Sequence, residues 1–217
     1  MPAREFIVIG LGRFGGGLAE TLVGMGHEVL GVDADEKAVQ DFAGVLTHVV
    51  AADSTDERAL RQLGADEFET AVVAIGTDVE ASILTTSVLA DLGVHRVVAK
   101  AVTEAHGRIL ARVGAHRVVF PERDMGVRVA HSLAGSILDY FELDPGFAIV
   151  ETRTPRELAG KSLAQAEVRR RYSITVVCFK PEGGSFTYAT PDTVVNEGDI
   201  LVVAGEKRRA EAFGELS

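Results

Sequence analysis

The start of the chain holds the pattern that most restricts the fold. An apolar run at residues 6–10 leads directly into the spacing G-x-G-x-x-G, which Gly10, Gly12 and Gly15 form. A second apolar run then ends in the acidic residue Asp33. A strand, a glycine turn, a helix and an acidic residue about 20 positions further on are the parts of a mononucleotide-binding βαβ unit. The pattern therefore predicts a parallel sheet with a phosphate site at the carboxyl end of its first strand.

Each residue of this turn has its own predicted role. Gly10 permits the tight turn, Gly12 lets the backbone approach a phosphate, and Gly15 allows close packing of helix on strand. A helix that begins near Gly15 aims free N–H groups and a partial positive charge at that phosphate. Arg13 adds a guanidinium with five donors, which suits ATP or ADP, although a solvated arginine at a helix start is the alternative. Phe14 is also predicted to contact the cofactor.

Composition and charge narrow the class of protein. The formal net charge of the 217 residues is −10, which argues against binding to nucleic acid or to anionic lipid. The sequence has no apolar run near the length of about 18 residues that a membrane span needs. Because the chain enters its first strand directly and has a single cysteine, Cys178, we expect no signal peptide and a cytoplasmic location.

Up to about residue 121, apolar runs alternate with amphipathic helical patterns, which predicts a parallel sheet covered by helices on both faces. The predicted strands are 6–10, 29–33, 47–51, 70–75, 97–100 and 117–120. The predicted helices are 16–25, 36–42, 56–63, 80–92 and 105–113.

The remainder of the chain has a different pattern. Its apolar positions predict a long helix at 123–140, followed by a turn at Asp144-Pro145-Gly146. We place the domain boundary at that turn, which gives domains of residues 1–143 and 144–217. The second domain is predicted to be a small α+β module with strands at 147–153, 174–180 and 200–204 and helices at 163–170 and 207–216.

Polar residues follow the carboxyl ends of several predicted strands, where ligands bind in this topology. Asp33 stands where a ribose hydroxyl binds. Asp35 either contacts the ribose too or caps the helix that begins near residue 36. Asp53 and Ser54 lie where an adenine edge would bind, or cap the helix at 56–63, and the two roles are compatible.

Further candidates follow the later strands. Ile75 ends the fourth strand and Gly76 follows it. Lys100 ends the fifth, where it either reaches phosphates or is a surface lysine. Glu122 follows the sixth strand, and a carboxylate beside a polyphosphate requires a cation between them. Arg169 belongs to an arginine triplet that either binds an anion or forms a solvated helix end.

Catalytic patterns are missing from the sequence. The six histidines show no metal-ligand spacing such as H-E-x-x-H, there is no G-x-S-x-G nucleophile turn, and Cys178 lies inside an apolar run. Residues 140–217 contain no histidine. We therefore expect a protein that is not an enzyme.

Taken together, these residues resemble the KtrA-type cytosolic gating subunits of Ktr potassium transporters. The resemblance rests on VIGLGRFGG at 8–16, GHEVLGVD at 26–33, PERDMG at 121–126 and GDILVVAG at 198–205. It implies an RCK (KTN) nucleotide-binding domain with a Rossmann-like, doubly wound parallel sheet, followed by a smaller α+β RCK-C domain. It also implies homodimers that assemble into an octameric ring and dock on a membrane-embedded potassium-translocating partner at the inner face of the membrane.

The same resemblance implies roles for single residues. Arg13 would sense the terminal phosphate that ATP has and ADP lacks, Asp33 and Asp35 would bind the ribose, and Lys100 would line the pocket. Glu122 would help to bind a divalent or monovalent cation at the dimer interface. The helix at 123–140 would pair protomers, and Arg169 matches an arginine that binds cyclic di-AMP in some relatives.

Two departures from the family pattern affect the choice of nucleotide. Asp35 stands where relatives often have a neutral amide, and Ala51-Ala52-Asp53 is closer to the TrkA-type subunits, which also accept NAD(H). An NAD(H)-sensing transporter regulator is therefore the alternative function, and a small NAD(P)-dependent oxidoreductase is a third.

Overall fold

The computed structural model describes residues 3–216, which pack into two compact units that divide after Glu122. The strands of the first unit are β1 (Glu5–Ile9), β2 (Glu28–Asp33), β3 (His48–Ala51), β4 (Thr70–Val73), β5 (Arg96–Lys100) and β6 (Arg117–Val119). Its helices are α1 (Arg13–Gly24), α2 (Glu36–Phe42), α3 (Glu57–Gln62), α4 (Val79–Asp91) and α5 (Glu104–Arg112), with a 3₁₀ turn at Ala65–Glu67. Within the described residues, no helix is both long and apolar enough to span a membrane.

In the described part of this unit, six strands form one parallel sheet in the order β3-β2-β1-β4-β5-β6. The order reverses between β1 and β4, so the carboxyl end of β1 lies at the point where ligands bind in such sheets. Each predicted strand and helix of this unit is confirmed, with bounds within three residues of those observed.

The sheet is buried on both faces, as its continuous apolar strands predict. Ile7 and Ile9 pack into one apolar cluster with Val73, and Val8 packs into the other with Ala19 of α1. Because successive strand residues point to opposite faces, burial of both faces leaves no place for polar alternation.

Helix α1 packs against the turn after β1 at a distance that excludes any side chain at Gly15. A Cβ on Gly15 would lie 1.8 Å from the carbonyl oxygen of Gly10 and 2.8 Å from the Cβ of Ala74. Gly10 itself has φ +93°, a left-handed conformation that other residues rarely adopt. The two glycines therefore bring α1 and β1 into direct backbone contact.

The second unit follows from Arg123, partway through α6 (Pro121–Ala134). Its strands are β7 (Ile137–Asp144), β8 (Phe147–Arg153), β9 (Lys161–Ser162), β10 (Ile174–Lys180), β11 (Thr187–Tyr188), β12 (Val194–Val195) and β13 (Ile200–Glu206). Its further helices are α7 (Leu163–Ala166), α8 (Val168–Tyr172) and α9 (Lys207–Gly214), with a 3₁₀ turn at Arg156–Leu158. Among the residues described, an antiparallel sheet runs β11-β10-β13-β8-β7, and β9 pairs with β12.

The predicted helix at 123–140 is wrong in its second half. The helix ends at Ala134, and Ile137–Asp144 forms β7, which pairs with β8 through a turn at Gly146 (φ +96°). Tyr140 is buried in the core of the second unit. Pairing with β8 supplies hydrogen-bond partners for the backbone of this segment, as a helix would have done within itself. The turn that we placed at the domain boundary therefore joins two strands of one sheet, and the compact units divide earlier, after Glu122.

The predicted helix at 163–170 is also interrupted. Glu167 has φ 48°, which separates α7 from α8. The other predicted elements of this unit, β8, β10, β13 and α9, are confirmed.

An ion pair fastens α6 to β7 within the second unit. The guanidinium of Arg128 donates to both carboxylate oxygens of Asp139, with Nε 2.5 Å from Oδ1. The Arg128 hydrogen bond holds the pKa of the Asp139 carboxyl below its usual value. The side chain of Asp139 is only 24% exposed, so its charge is partly shielded from water.

The Gly15 contact predicts opposite effects for two alanine substitutions on the same helix. Gly15→Ala should lower the free energy of unfolding by about 1–3 kcal/mol because its Cβ collides with backbone. Gly17→Ala is the matched control, since a Cβ there meets nothing within 4 Å, and it should raise stability by about 0.5–1 kcal/mol. Urea unfolding followed by circular dichroism measures both, and equal effects would contradict the close packing.

The Asp139 pair predicts a specific acid sensitivity. A depressed pKa stabilises the folded state above the unfolded value of about 3.9, and that stabilisation is lost as the pH falls through the folded pKa. Asp139→Asn should therefore be less stable than the wild type at neutral pH, with the difference shrinking below about pH 4. Asp144→Asn, an exposed change on the same strand, is the control. Thermal unfolding across pH 2–7 measures the difference.

Candidate functional site

The glycine turn after β1 has the shape of a phosphate cradle. Helix α1 begins at Arg13, earlier than predicted, and its N-cap Gly12 supplies no side-chain hydrogen bond. The first intrahelical bond runs from Gly16 N–H to Gly12 C=O at 2.8 Å, so the N–H groups of the first turn have no partner within the helix. A Cβ on Gly12 would meet nothing within 4 Å, so the turn faces open space. Backbone donors beside open space fit a phosphate.

Asp33 holds this turn in place. Its Oδ2 accepts a hydrogen bond of 2.6 Å from the Leu11 N–H, and its Oδ1 accepts one of 2.9 Å from the Asp35 N–H. The carboxylate at the end of β2 is thereby bonded to the turn that follows β1. Each oxygen keeps a second lone pair, so the predicted ribose contact is compatible with the bond to the turn.

Asp35 caps α2. Its Oδ1 accepts a hydrogen bond of 2.9 Å from the Lys37 N–H, and its backbone has the extended conformation of an N-cap. Of the two predicted roles, the capping role is confirmed, and the ribose contact stays a prediction.

Asp53 and Ser54 follow β3, and both side chains form hydrogen bonds within the protein. Asp53 accepts hydrogen bonds from the N–H and the hydroxyl of Thr55, which lowers the pKa of the Asp53 carboxyl. The N-cap of α3 is Asp56, so the predicted capping role of Asp53 is wrong. The Ser54 hydroxyl is buried and lies 2.8 Å from that of Thr85.

Lys100 lies close to both the glycine turn and the start of α6. It ends β5 with only 8% of its surface exposed, and its Nζ lies 2.5 Å from the Glu122 carboxylate at the start of α6. Its Nζ is also so close to Gly76 that a Cβ there would lie 2.9 Å away. The Phe14 ring centroid is 5.7 Å from the same ammonium. The predicted surface role for Lys100 is therefore wrong.

Lys100 and Arg13 both stabilise the charged form of the Glu122 carboxylate. The Lys100 hydrogen bond is the main cause that lowers the pKa of the Glu122 carboxyl, and the more distant charge of Arg13 adds to it. Arg13 is exposed on the first turn of α1. Arg13, Lys100 and Glu122 therefore lie at the carboxyl edge of the sheet, the edge that also carries Asp33.

The described residues form no cluster of cation ligands around Glu122. Glu122 is paired with Lys100, and the described residues hold no group of three His, Cys, Asp or Glu side chains that could surround a metal ion. The cation at Glu122 stays a prediction.

Of the two remaining candidates, Ile75 lies near the glycine turn and Arg169 lies in the second unit. Ile75 follows β4 beside Gly76, at the carboxyl edge of the sheet, and is half-buried. Arg169 belongs to α8 in the second unit, where its guanidinium donates to the Thr175 hydroxyl at 3.0 Å. A shallow groove of about 410 Å³ runs along α1 from Arg13 to Leu22, on the flank of the helix.

Three contributors to the site were missed by sequence reasoning. Leu11 donates the backbone bond to Asp33, Ala74 leaves room for Gly10 and Gly15, and Thr85 binds the Ser54 hydroxyl. A small residue just after the fourth strand was the available signal for Ala74. The contacts of Leu11 and Thr85 have no sequence signal because they depend on which segments meet.

The fold and the site together define a class. The first unit is a Rossmann-like nucleotide-binding domain, and the second is a smaller domain built on an antiparallel sheet. The TrkA-N domain family matches residues 6–121, and the TrkA-C domain family matches residues 147–217.

Two curated relatives are similar over nearly their whole length. Ktr system potassium uptake protein A of Bacillus subtilis (strain 168) is 40% identical over 211 residues, which are 97% of this chain and 95% of the relative. Ktr system potassium uptake protein C of the same organism is 41% identical over 203 residues, with 93% and 92% covered. The chain belongs to the TrkA-N/TrkA-C family and, within it, to the KtrA-type proteins of Ktr potassium uptake systems.

Solved structures agree on the fold. The RCK domain of GsuK covers all of this chain with a TM-score of 0.69 at 20% identity, and this chain covers 48% of that one. The GsuK channel bound to NAD gives a TM-score of 0.70 at 20% identity, with 39% of that chain covered. The expected RCK fold is confirmed.

The two bonds of the Asp33 carboxylate predict that an amide cannot replace it. Asp33→Asn would turn an amide NH₂ toward one of the two backbone N–H groups and leave that donor unpaired, at a cost of about 1–3 kcal/mol of stability. Asp35→Asn is the control because asparagine caps helices about as well as aspartate. Urea unfolding of both variants measures the effect, and equal stability would contradict the role of Asp33 in the turn.

Proposed function

We propose that this chain is a nucleotide-sensing regulatory subunit of a potassium-uptake system and not an enzyme. The observation that carries the proposal is the phosphate cradle at the end of β1, flanked by Arg13 and Lys100, in a KtrA-type chain. The printed names of its relatives place those proteins in potassium uptake.

The nucleotide is ATP or ADP in this proposal. The backbone of the glycine turn binds phosphates, Asp33 accepts a ribose hydroxyl with its remaining lone pairs, and Arg13 meets the terminal phosphate. A ligand shifts a two-state protein only through its different affinity for the two states. The additional phosphate of ATP supplies such a difference because Arg13 is a fixed cation on the first turn of α1.

The regulatory output requires assembly. In the proposal, protomers pair through α6 into homodimers, the dimers form an octameric ring, and the ring docks on a membrane-embedded potassium-translocating partner at the cytoplasmic face. The apolar side chains that α6 exposes support pairing, since Leu133 is 81% and Met125 52% exposed.

Two further ligands belong to the proposal. Glu122 would contribute to a divalent or monovalent cation site that a second protomer completes at the dimer interface, in agreement with the incomplete set in one chain. Arg169, with its guanidinium exposed on α8, would contribute to binding of cyclic di-AMP in the second domain.

An NAD(H)-sensing regulator is the second candidate, and one observation favours it. Asp33 and Asp35 place two carboxylates at the end of β2, where an acidic residue binds the unmodified ribose of NAD. The GsuK channel, which shares the fold, has a structure with NAD bound.

Thermal unfolding of the purified protein with ATP, ADP, NADH or cyclic di-AMP tests these proposals. A ligand that binds the folded state raises the unfolding temperature. Stabilisation by ATP and ADP supports the first candidate, and stabilisation by NADH alone would replace it with the second. Cyclic di-AMP should stabilise the wild type and not Arg169→Ala.

Arg13 predicts a selective loss of ATP binding. Arg13→Ala should bind ATP about tenfold more weakly, as expected for loss of a charge-assisted hydrogen bond, while ADP binding changes less than about threefold. Isothermal titration calorimetry measures both. Arg96→Ala removes the same charge from the amino end of β5, the opposite edge of the sheet, and serves as control. An equal loss for ATP and ADP would contradict the terminal-phosphate role.

A further inference from the structure

Lys100 is a buried cation that needs an anion. Its side chain is 10% exposed, and its ammonium lies beside the backbone of Gly76 at the carboxyl edge of the sheet. A buried charge is costly unless it is paired. In the structure the partner is the Glu122 carboxylate, at 2.5 Å.

Glu122 is a partner of a different kind. Its side chain is 66% exposed, so water can solvate the carboxylate when it leaves the pair. Replacing Glu122 by another anion would thus cost little in solvation of the Glu122 carboxylate. The buried Lys100 ammonium, in contrast, needs an anionic partner at all times.

The Lys100 ammonium also lies close to the phosphate cradle. Phe14, whose ring centroid is 5.7 Å from Nζ, belongs to the first turn of α1, which carries the unpaired N–H groups. An anion bound at those N–H groups would be an alternative partner for Lys100.

We infer that Glu122 is an internal competitor for Lys100, and that a nucleotide phosphate bound at the glycine turn takes its place. The inference rests on the proposed function, because it assigns a regulation to the same site. Glu122 occupies Lys100 when no phosphate is bound, and phosphate binding releases the Glu122 carboxylate at the start of α6.

Removal of the competitor should tighten nucleotide binding. In calorimetry with a chelator present, Glu122→Gln should bind ADP about two- to fivefold more tightly than the wild type, the range expected for one partly exposed ion pair. Adenosine, which has no phosphate, should bind both proteins equally. Glu69→Gln is the charge-matched control, since Glu69 is exposed just before β4, at the amino edge of the sheet.

A double-mutant cycle separates competition for Lys100 from plain repulsion between Glu122 and phosphate. In a Lys100→Met background, Glu122→Gln should give no further gain in ADP affinity, because the shared partner is gone. Methionine is unbranched and suits the buried position, and Lys100→Gln is the substitute if the methionine variant fails to fold.

Three results would overturn the inference: no gain in Glu122→Gln, an equal gain for adenosine, or a gain that persists without Lys100. All three leave the proposed function intact, because the wild type still binds ADP. A wild type that binds neither ATP nor ADP would instead refute the proposed function and this inference together.

Discussion

The bond between the Asp33 carboxylate and the Leu11 N–H is the contact on which the nucleotide site depends. It joins the end of β2 to the turn after β1, at the point where the strand order of the sheet reverses. The turn can lie there only because Gly10 adopts φ +93° and Gly15 carries no side chain. One carboxylate thus orients the cradle and keeps a second lone pair on each oxygen for the predicted ribose contact.

Two cations flank the phosphate cradle of a chain whose net charge is negative. The net charge is −10, yet Arg13 and Lys100 flank the phosphate cradle, and the carboxylate of Glu122 neutralises one of them. In the proposed exchange, Lys100 stays paired with Glu122 until a phosphate competes for it. A sensor benefits from this arrangement because the number of phosphates then changes the balance of partners around fixed side chains.

The sheet of the first unit was predictable because its strands are apolar throughout and its turns carry their own signals. The helix at 123–140 was not, because apolar residues at positions such as 133, 137 and 141 fit a helix and a strand about equally well. Pairing of β7 with β8 and burial of Tyr140 decided for the strand. The strand at 137–144 forms because β8 lies beside it, and the pattern of residues 123–140 gives no sign of that neighbour.

The candidate site also has features that the sequence predicts and features that only the fold decides. The sequence alone determined the glycine spacing, the acidic end of β2 and the arginine in the turn, because these follow from backbone conformation and from positions close together in the chain. Only the tertiary structure decided that Ser54 binds Thr85 and that Lys100 binds Glu122. Those pairs join residues far apart in the chain, and they exist because parallel strands bring their carboxyl ends to one edge, where side chains from separate segments compete for the same partners.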